Sequence, residues 1–327
     1  MGNDCKPHES FLSRSMQNSL ECAYSPDIAI SEFYREVCNQ SKFEISQSQR
    51  SYVINEKELG RGAVGVVKEC LEEFSQRSFA VKSIPKTEQS TDGLQRIRVE
   101  VLALKCLSHP NIIGLEDVYE DNEYIHLVLP MCNGGDLLKR MVARLNSPKR
   151  THTEDEALII VQRMLEAIYC CHRHGIIHRD IKPENFIFVS ESQDSLMKLC
   201  DFGLSIFQTD IKCTLKPQVG SPYYMAPEII RQSNYTTKCD IWGVGIIFFM
   251  LLAGKMPFKA TTLETLFQEI ASEAPISFED EIWEAISVQT KELVRSFLEK
   301  DPNRRLSAKA ALNHRIFKQI TRCALES

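Results

Sequence analysis

The chain has 327 residues, 43% hydrophobic and 25% charged, which is ordinary for a globular protein with room for about two domains. A formal net charge of −5 is too mild to argue for nucleic acid as a partner. Twelve cysteines are many, but none forms a CxxC pair and only Cys170 and Cys171 are adjacent, so reduced and mostly buried thiols fit better than a disulfide framework or a zinc site.

Residues 1–51 are rich in Ser, Gln, Asn and Glu and read as a disordered tail. No apolar core of a secretory signal opens the chain, so an intracellular, soluble protein is expected. At Tyr52 the pattern changes. YVINEKELGRGAVGVVKECLEEFSQRSFAVKSI reads as three strands, with turns at the glycines and at SQR. In residues 93–107, Ile97, Val101, Leu104 and Leu107 recur at helical spacing. HPNIIGLEDVYEDNEYIHLVL adds two more strands.

After NGGD (133–136) helical patterns dominate, in DLLKRMVARL, EDEALIIVQRMLEAIYCCHRHG, IWGVGIIFFMLLAG (241–254) and KELVRSFLEK. The 241–254 window is shorter than the roughly 18–20 residues a membrane span needs, so it reads as a buried core helix. The expected fold is α+β and bilobal. A small β-rich lobe with one helix covers 52–130, a larger helical lobe covers 133–318, and 319–327 form a tail. Ligands favour such interfaces between lobes.

GRGAVGVV (60–67) sets Gly60, Gly62 and Gly65 where a strand–turn–strand can approach phosphates through its amides. It leads into a strand rather than a helix, against a dinucleotide fold, and a plain glycine hairpin remains an equal reading. FAVK presents Lys82, and Glu100 follows on the 93–107 helix. The pair could grip phosphate oxygens, or be a solvated pair contributing under about 1 kcal/mol.

HRDIKPENF (178–186) gathers His178, Arg179, Asp180, Lys182, Glu184 and Asn185 between the apolar pairs Ile176–Ile177 and Ile187–Phe188. Charges fenced by short buried strands point to a rigidly held site rather than a solvated turn. Asp201, in KLCDFGLS, offers with the Asn185 amide hard oxygen ligands for Mg²⁺. Asp180 is then left to accept a proton from an attacking hydroxyl, and Lys182 to steady a phosphoryl group. In GSPYYMAPE (220–228), Ser221 is expected to bond Asp180 and Lys182, and Glu228 to pair with Arg305.

Taken in order, GRGAVGVV, FAVK, HRDIKPEN, DFG, APE and DPNRR resemble the signature of eukaryotic Ser/Thr protein kinases over residues 52–318. YIHLVLPMCNGGDLL, HRDIKPENFIF, VGSPYYMAPEII and LLAGKMPF resemble the calmodulin-dependent group. They are nearest the plant-type calcium-dependent kinases and the phosphoenolpyruvate carboxylase kinase-related kinases.

The resemblance implies transfer of the γ-phosphoryl of Mg·ATP to protein Ser/Thr hydroxyls. Lys82, Glu100, Asp180, Lys182 and Asn185 would be catalytic, and Asn185 and Asp201 would hold Mg²⁺. ATP would lie against Gly60, Arg61, Gly62, Ala63, Val64, Gly65 and Val67, with Ala80 and Lys82 beneath. The Pro130 carbonyl and Cys132 amide would meet the adenine, Leu129 would be the gatekeeper, and Asp136 would belong to the nucleotide site. Only a carbonyl is needed at Pro130, so a residue without N–H suffices.

Asp136 and Glu184 also match acidic positions that receive a basic residue upstream of the phosphoacceptor, while Met250 stands where a further acid is common. Arg three residues before Ser/Thr is therefore expected, with a weaker need two before.

Arg179 implies a basic pocket for an anion, yet Pro217 stands where relatives carry a phosphothreonine or an acid. Thr209 and Thr214 are the candidate phosphorylation sites; a loop held by packing alone is the alternative. No stretch fits a twelve-residue calcium loop, and calcium-independent action is expected.

Gly2 with Cys5 resembles a dual acylation start, although Lys6 stands where the motif wants Ser or Thr, and one acyl chain anchors only marginally. The chain is expected to be a cytoplasmic monomer, with membrane and nucleus as alternative locations. Cys200 should be a small thiol facing the nucleotide. A pseudokinase scaffold is the competing function, opposed by the presence of Lys82, Glu100, Asp180, Asn185 and Asp201. GSPYYMAPE and DIWGVG oppose a small-molecule kinase.

Overall fold

A computed structural model of the chain describes residues 50–62, 65–86, 91–208 and 220–318. Gly2, Cys5, Ala63, Val64, Thr209, Thr214, Pro217 and the 319–327 tail lie outside the described residues.

The N-terminal part is a five-stranded antiparallel sheet in the order β1-β2-β3-β5-β4, built from β1 (Tyr52–Arg61), β2 (Val66–Glu72), β3 (Ser78–Pro85), β4 (Asp117–Glu120) and β5 (Tyr124–Pro130). β3 is central, and Phe79, Val81 and Ile84 are buried along it, as β-branched and aromatic residues favour. Its register sets Lys82 opposite Val67 on one side and Leu127 on the other, and Ala80 opposite Leu129.

One helix packs here, α1 (Thr91–Cys106), burying Ile97, Val101 and Leu104. Between β1 and β2 the chain turns at Gly65, whose φ is +91°. A Cβ there would lie 2.4 Å from the Ser83 carbonyl oxygen, so the turn and the close approach both require glycine.

Past β5 the chain is mostly helical: α2 (Leu137–Leu145), α3 (Glu154–Arg173), α4 (Pro227–Ile230), α5 (Lys238–Ala253), α6 (Leu263–Ala271), α7 (Val288–Phe297) and α8 (Ala308–Leu312). α3 starts in a capping box, Thr153 with Glu156. Two small antiparallel pairs lie among the helices: β6 (Ile176–Ile177) with β9 (Ile206–Phe207), and β7 (Phe186–Phe188) with β8 (Met197–Leu199). The apolar fences of HRDIKPENF are thus strands.

α5 is buried almost all round and closes at Gly254 in the left-handed conformation. No described helix is long and apolar enough to cross a membrane. The sequence reading did not include α6 or α8. Both are short, and α6 starts at a Thr262–Thr265 capping box and buries only Leu266 and Ile270, too brief a pattern to stand out. Cys70, Cys171 and Cys239 are buried, and each described cysteine is free.

Candidate active site

Lys82 projects from β3 toward α1 and is only 4% exposed. Its Nζ lies 2.7 Å from Glu100 Oε1 and 2.9 Å from Asp201 Oδ1. A buried lysine without such partners would lose its charge. Burial opposes the ammonium, but Glu100 and Asp201 outweigh it and hold the lysine above its usual range. Burial also raises Asp201, yet Lys82 overcomes this and keeps the carboxyl below the ordinary aspartate range. Glu100, the more deeply buried acid, is pushed upward by burial and only partly brought back by Lys82.

Asp201 follows β8 with φ +63°, a left-handed conformation that turns its carboxylate back toward Lys82. With Oδ1 on Lys82, Oδ2 lies toward the glycine turn, 3.7 Å from where a Gly62 Cβ would be.

The loop between β6 and β7 carries the second group. Asp180 is 5% exposed. Its Oδ2 accepts from Lys182 Nζ at 2.7 Å and from Asn185 Nδ2 at 3.0 Å. Its Oδ1 accepts from the Ser221 amide and hydroxyl, both at 3.1 Å. Asn185 Nδ2 also donates to the Asp180 carbonyl at 2.7 Å, and Lys182 reaches Ser221 Oγ at 3.2 Å. The Ser221 contacts and the Glu228–Arg305 pair were foreseen. Glu228 and Arg305 meet as a buried two-point ion pair at 2.6 and 2.9 Å.

What holds this loop was not foreseen. Asp240, 1% exposed at the start of α5, accepts from His172 Nε2 at 2.8 Å and from the backbone amides of His178 at 3.0 Å and Arg179 at 2.9 Å. Arg179 has φ +67°, strain that these bonds offset. His178, fully buried, reaches the Cys200 carbonyl at 3.1 Å and packs edge-on against Phe202, joining this loop to the Asp201 turn. The signal in the sequence was a lone acid opening the most apolar helix. At Arg179, where an anion pocket is expected, Nε donates to the Leu204 carbonyl at 2.6 Å and Nη1 to the Tyr235 hydroxyl at 2.9 Å, which aims the guanidinium.

Between the lobes lies a cleft of about 570 Å³ lined by Gly60, Arg61, Gly62, Val67, Ala80, Lys82, Leu129, Pro130, Cys132, Asp136, Asn185, Cys200 and Asp201, among others. Burial raises the Cys200 thiol far above its usual range, with Asp201 adding to the effect. Asp136 caps α2 and also pairs with Lys139. Among the described residues no three His, Cys, Asp or Glu side chains are grouped as a ready metal cage. Asp201 and Asn185 instead offer the cleft one carboxylate and one amide, a pair that suits a hard cation that keeps water and phosphate oxygens.

A sequence profile described as protein kinase domain matches residues 53–317. The chain belongs to that family. Membership implies ATP and a divalent metal. The chain is 40% identical over 260 residues to calcium-dependent protein kinase 24 of Arabidopsis thaliana, covering 79% of this chain and 43% of that protein. It is equally identical to calcium-dependent protein kinase 8 of the same plant and to calcium-dependent protein kinase 20 of Oryza sativa subsp. japonica, spanning 47% and 46% of their lengths. The chain therefore covers less than half of these relatives.

Proposed function

We propose that this chain is catalytically active and transfers the γ-phosphoryl of Mg·ATP to protein Ser/Thr hydroxyls, with a preference for Arg three residues upstream. The observation that carries the reading is Lys82 held between Glu100 and Asp201 while Asp180 lies in its own network with Lys182, Asn185 and Ser221. Mg²⁺, when bound, neutralises charge on the phosphate oxygens. Asn185, whose amide nitrogen is spent on Asp180, and Asp201 Oδ2 are the oxygens that would hold it. Lys82 orients the nucleotide as a fixed charge, its partners preventing it from swinging away.

Asp180 accepts the proton of the incoming hydroxyl. Its carboxylate is oriented by Ser221 and Asn185, so little reorganisation remains at the moment of reaction. Lys182, already at that carboxylate, is set to meet the transferring group. Asp136 and Glu184, which both line the cleft, support recognition of an upstream Arg. At the position two before, Met250 meets the Tyr224 hydroxyl at 3.9 Å and offers no charge, which supports a weaker need there. The 327 residues contain no calcium loop of the twelve-residue type, and we infer that transfer by these residues runs without calcium.

The test is phosphate transfer from labelled Mg·ATP to a Ser peptide bearing Arg three residues upstream, with and without calcium, with Asp180→Asn as control. Transfer that ignores calcium and vanishes in Asp180→Asn is the expected result. Wild-type failure under every condition would overturn the reading in favour of a non-catalytic scaffold.

A further inference from the structure

The Asn133–Gly134–Gly135 turn leads directly into α2 and packs so closely on the Ser190 backbone that a Cβ at Gly134 would lie 2.0 Å from its carbonyl oxygen. Asp136 then caps the helix, its Oδ1 accepting from the Lys139 amide at 2.8 Å. The other oxygen, Oδ2, lies 3.0 Å from Lys139 Nζ. Both oxygens of Asp136 are therefore engaged by one residue. An arginine fork on Asp136 would have to share both oxygens with Lys139, whose ammonium at Oδ2 opposes the incoming guanidinium.

Other cations near the cleft are committed elsewhere. Arg61 pairs with Glu58 at 2.8 Å, Lys182 pairs with Asp180 at 2.7 Å, and Arg140 donates to the carbonyls of Gly134, Ser190 and Ser192. Lys139 differs. Its side chain is 76% exposed and lines the same cleft as Glu184, which is exposed and has no cationic partner among the described residues. A substrate arginine would thus meet one acid without a cationic partner among the described residues, one acid shared with Lys139, and an exposed like charge.

We propose that Lys139 is a specificity-determining residue that weakens this kinase's preference for an upstream Arg, leaving Glu184 as the principal acid for it. The proposal rests on the Arg-directed reading above. It makes the kinase more tolerant of substrates lacking that Arg than two free acids would.

The test compares two Ser peptides, Arg or Ala three residues upstream, as a ratio of kcat/KM in wild type, Lys139→Ala and Glu184→Gln. The same ratio is measured as Kd for Ser→Ala versions of the peptides, so that it is obtained even if transfer is undetectable. An exposed ion pair has modest energy, so the ratio should rise about two- to fivefold in Lys139→Ala. It should fall toward one in Glu184→Gln. An Arg preference in wild type that is unchanged or smaller in Lys139→Ala overturns the role of Lys139 and leaves the Arg-directed reading standing. A ratio of one in all three chains overturns both. No preference in wild type but a clear one in Lys139→Ala supports the proposal in its strongest form.

Discussion

Lys82 is one ammonium facing two carboxylates in a nearly dry pocket. Removing it leaves Glu100 and Asp201 facing each other, and breaking a buried ion pair in this way costs about 3–5 kcal/mol. Lys82→Met should therefore lower the thermal midpoint as well as abolish transfer. Adding Glu100→Leu should restore part of the midpoint, because the more deeply buried of the two uncompensated carboxylates is gone, but none of the transfer. Calorimetry beside the peptide assay separates the two effects; equal loss of midpoint in single and double variants would refute the argument.

Asp240 is tested by acid. Burial raises its pKa, but His172 and the backbone amides prevail, so the folded value lies below the unfolded 3.8. A depressed carboxyl contributes stability that is complete above the unfolded value and is lost as pH falls through the folded one. Asp240→Asn should cost about 2–3 kcal/mol at pH 7, where a charge-assisted network is lost. The gap should narrow steadily below pH ~3.8 as the wild-type carboxylate takes up its proton. Urea titrations of both chains at several pH values measure this.

Helix α5 carries more than its own burial. Gly243 lets Ile181, next to Asp180, pack directly on the helix: a Cβ would lie 2.8 Å from both the Ile181 carbonyl oxygen and its Cβ. Because one of these contacts is backbone, it cannot rotate away. Gly243→Ala should push the Asp180 loop off its base, costing about 1–3 kcal/mol of overpacking and lowering kcat at least tenfold. Gly254→Ala is the control. Its φ of +68° and the nearby Leu145 side chain make it strained as well, but it lies at the helix end, away from Asp180. It should lower the thermal midpoint without a comparable fall in kcat.

These contacts mark what the sequence did and did not disclose. Lys82, Asp180, Asn185 and Asp201 could be read because each sits in a short motif whose neighbours point to the same chemistry. Asp240, His172, Tyr235 and Gly243 act across 56 to 68 residues of chain, and no local pattern announces such pairings. The five strands of the N-terminal sheet and helices α1, α2, α3, α5 and α7 followed from periodicity, and β6 and β7 from their apolar runs; β8, β9, α4, α6 and α8 did not, most being too short to repeat a pattern.

The two lobes meet around a cleft whose lining comes from β1–β3, α1, the strand end at Pro130 and the loops at Asn185 and Asp201. A ligand that touches all of these should stabilise the folded chain as a unit, by about 2.7 kcal/mol at a concentration a hundredfold above its Kd. Among the described residues no three acidic, His or Cys side chains form a cage, and metal held by Asp201 and Asn185 is expected to enter this linkage with the nucleotide. Chelation should therefore leave the thermal midpoint of the nucleotide-free chain unchanged, while removing much of the upward shift caused by a non-hydrolysable ATP analogue. Asp201→Asn should reproduce the chelated behaviour even with excess Mg²⁺, because it removes the one carboxylate proposed to hold the metal. A nucleotide-free midpoint that falls on chelation would point to a structural metal elsewhere in the chain. A nucleotide shift insensitive to both treatments would mean that Lys82 and the glycine turn bind the phosphates without metal.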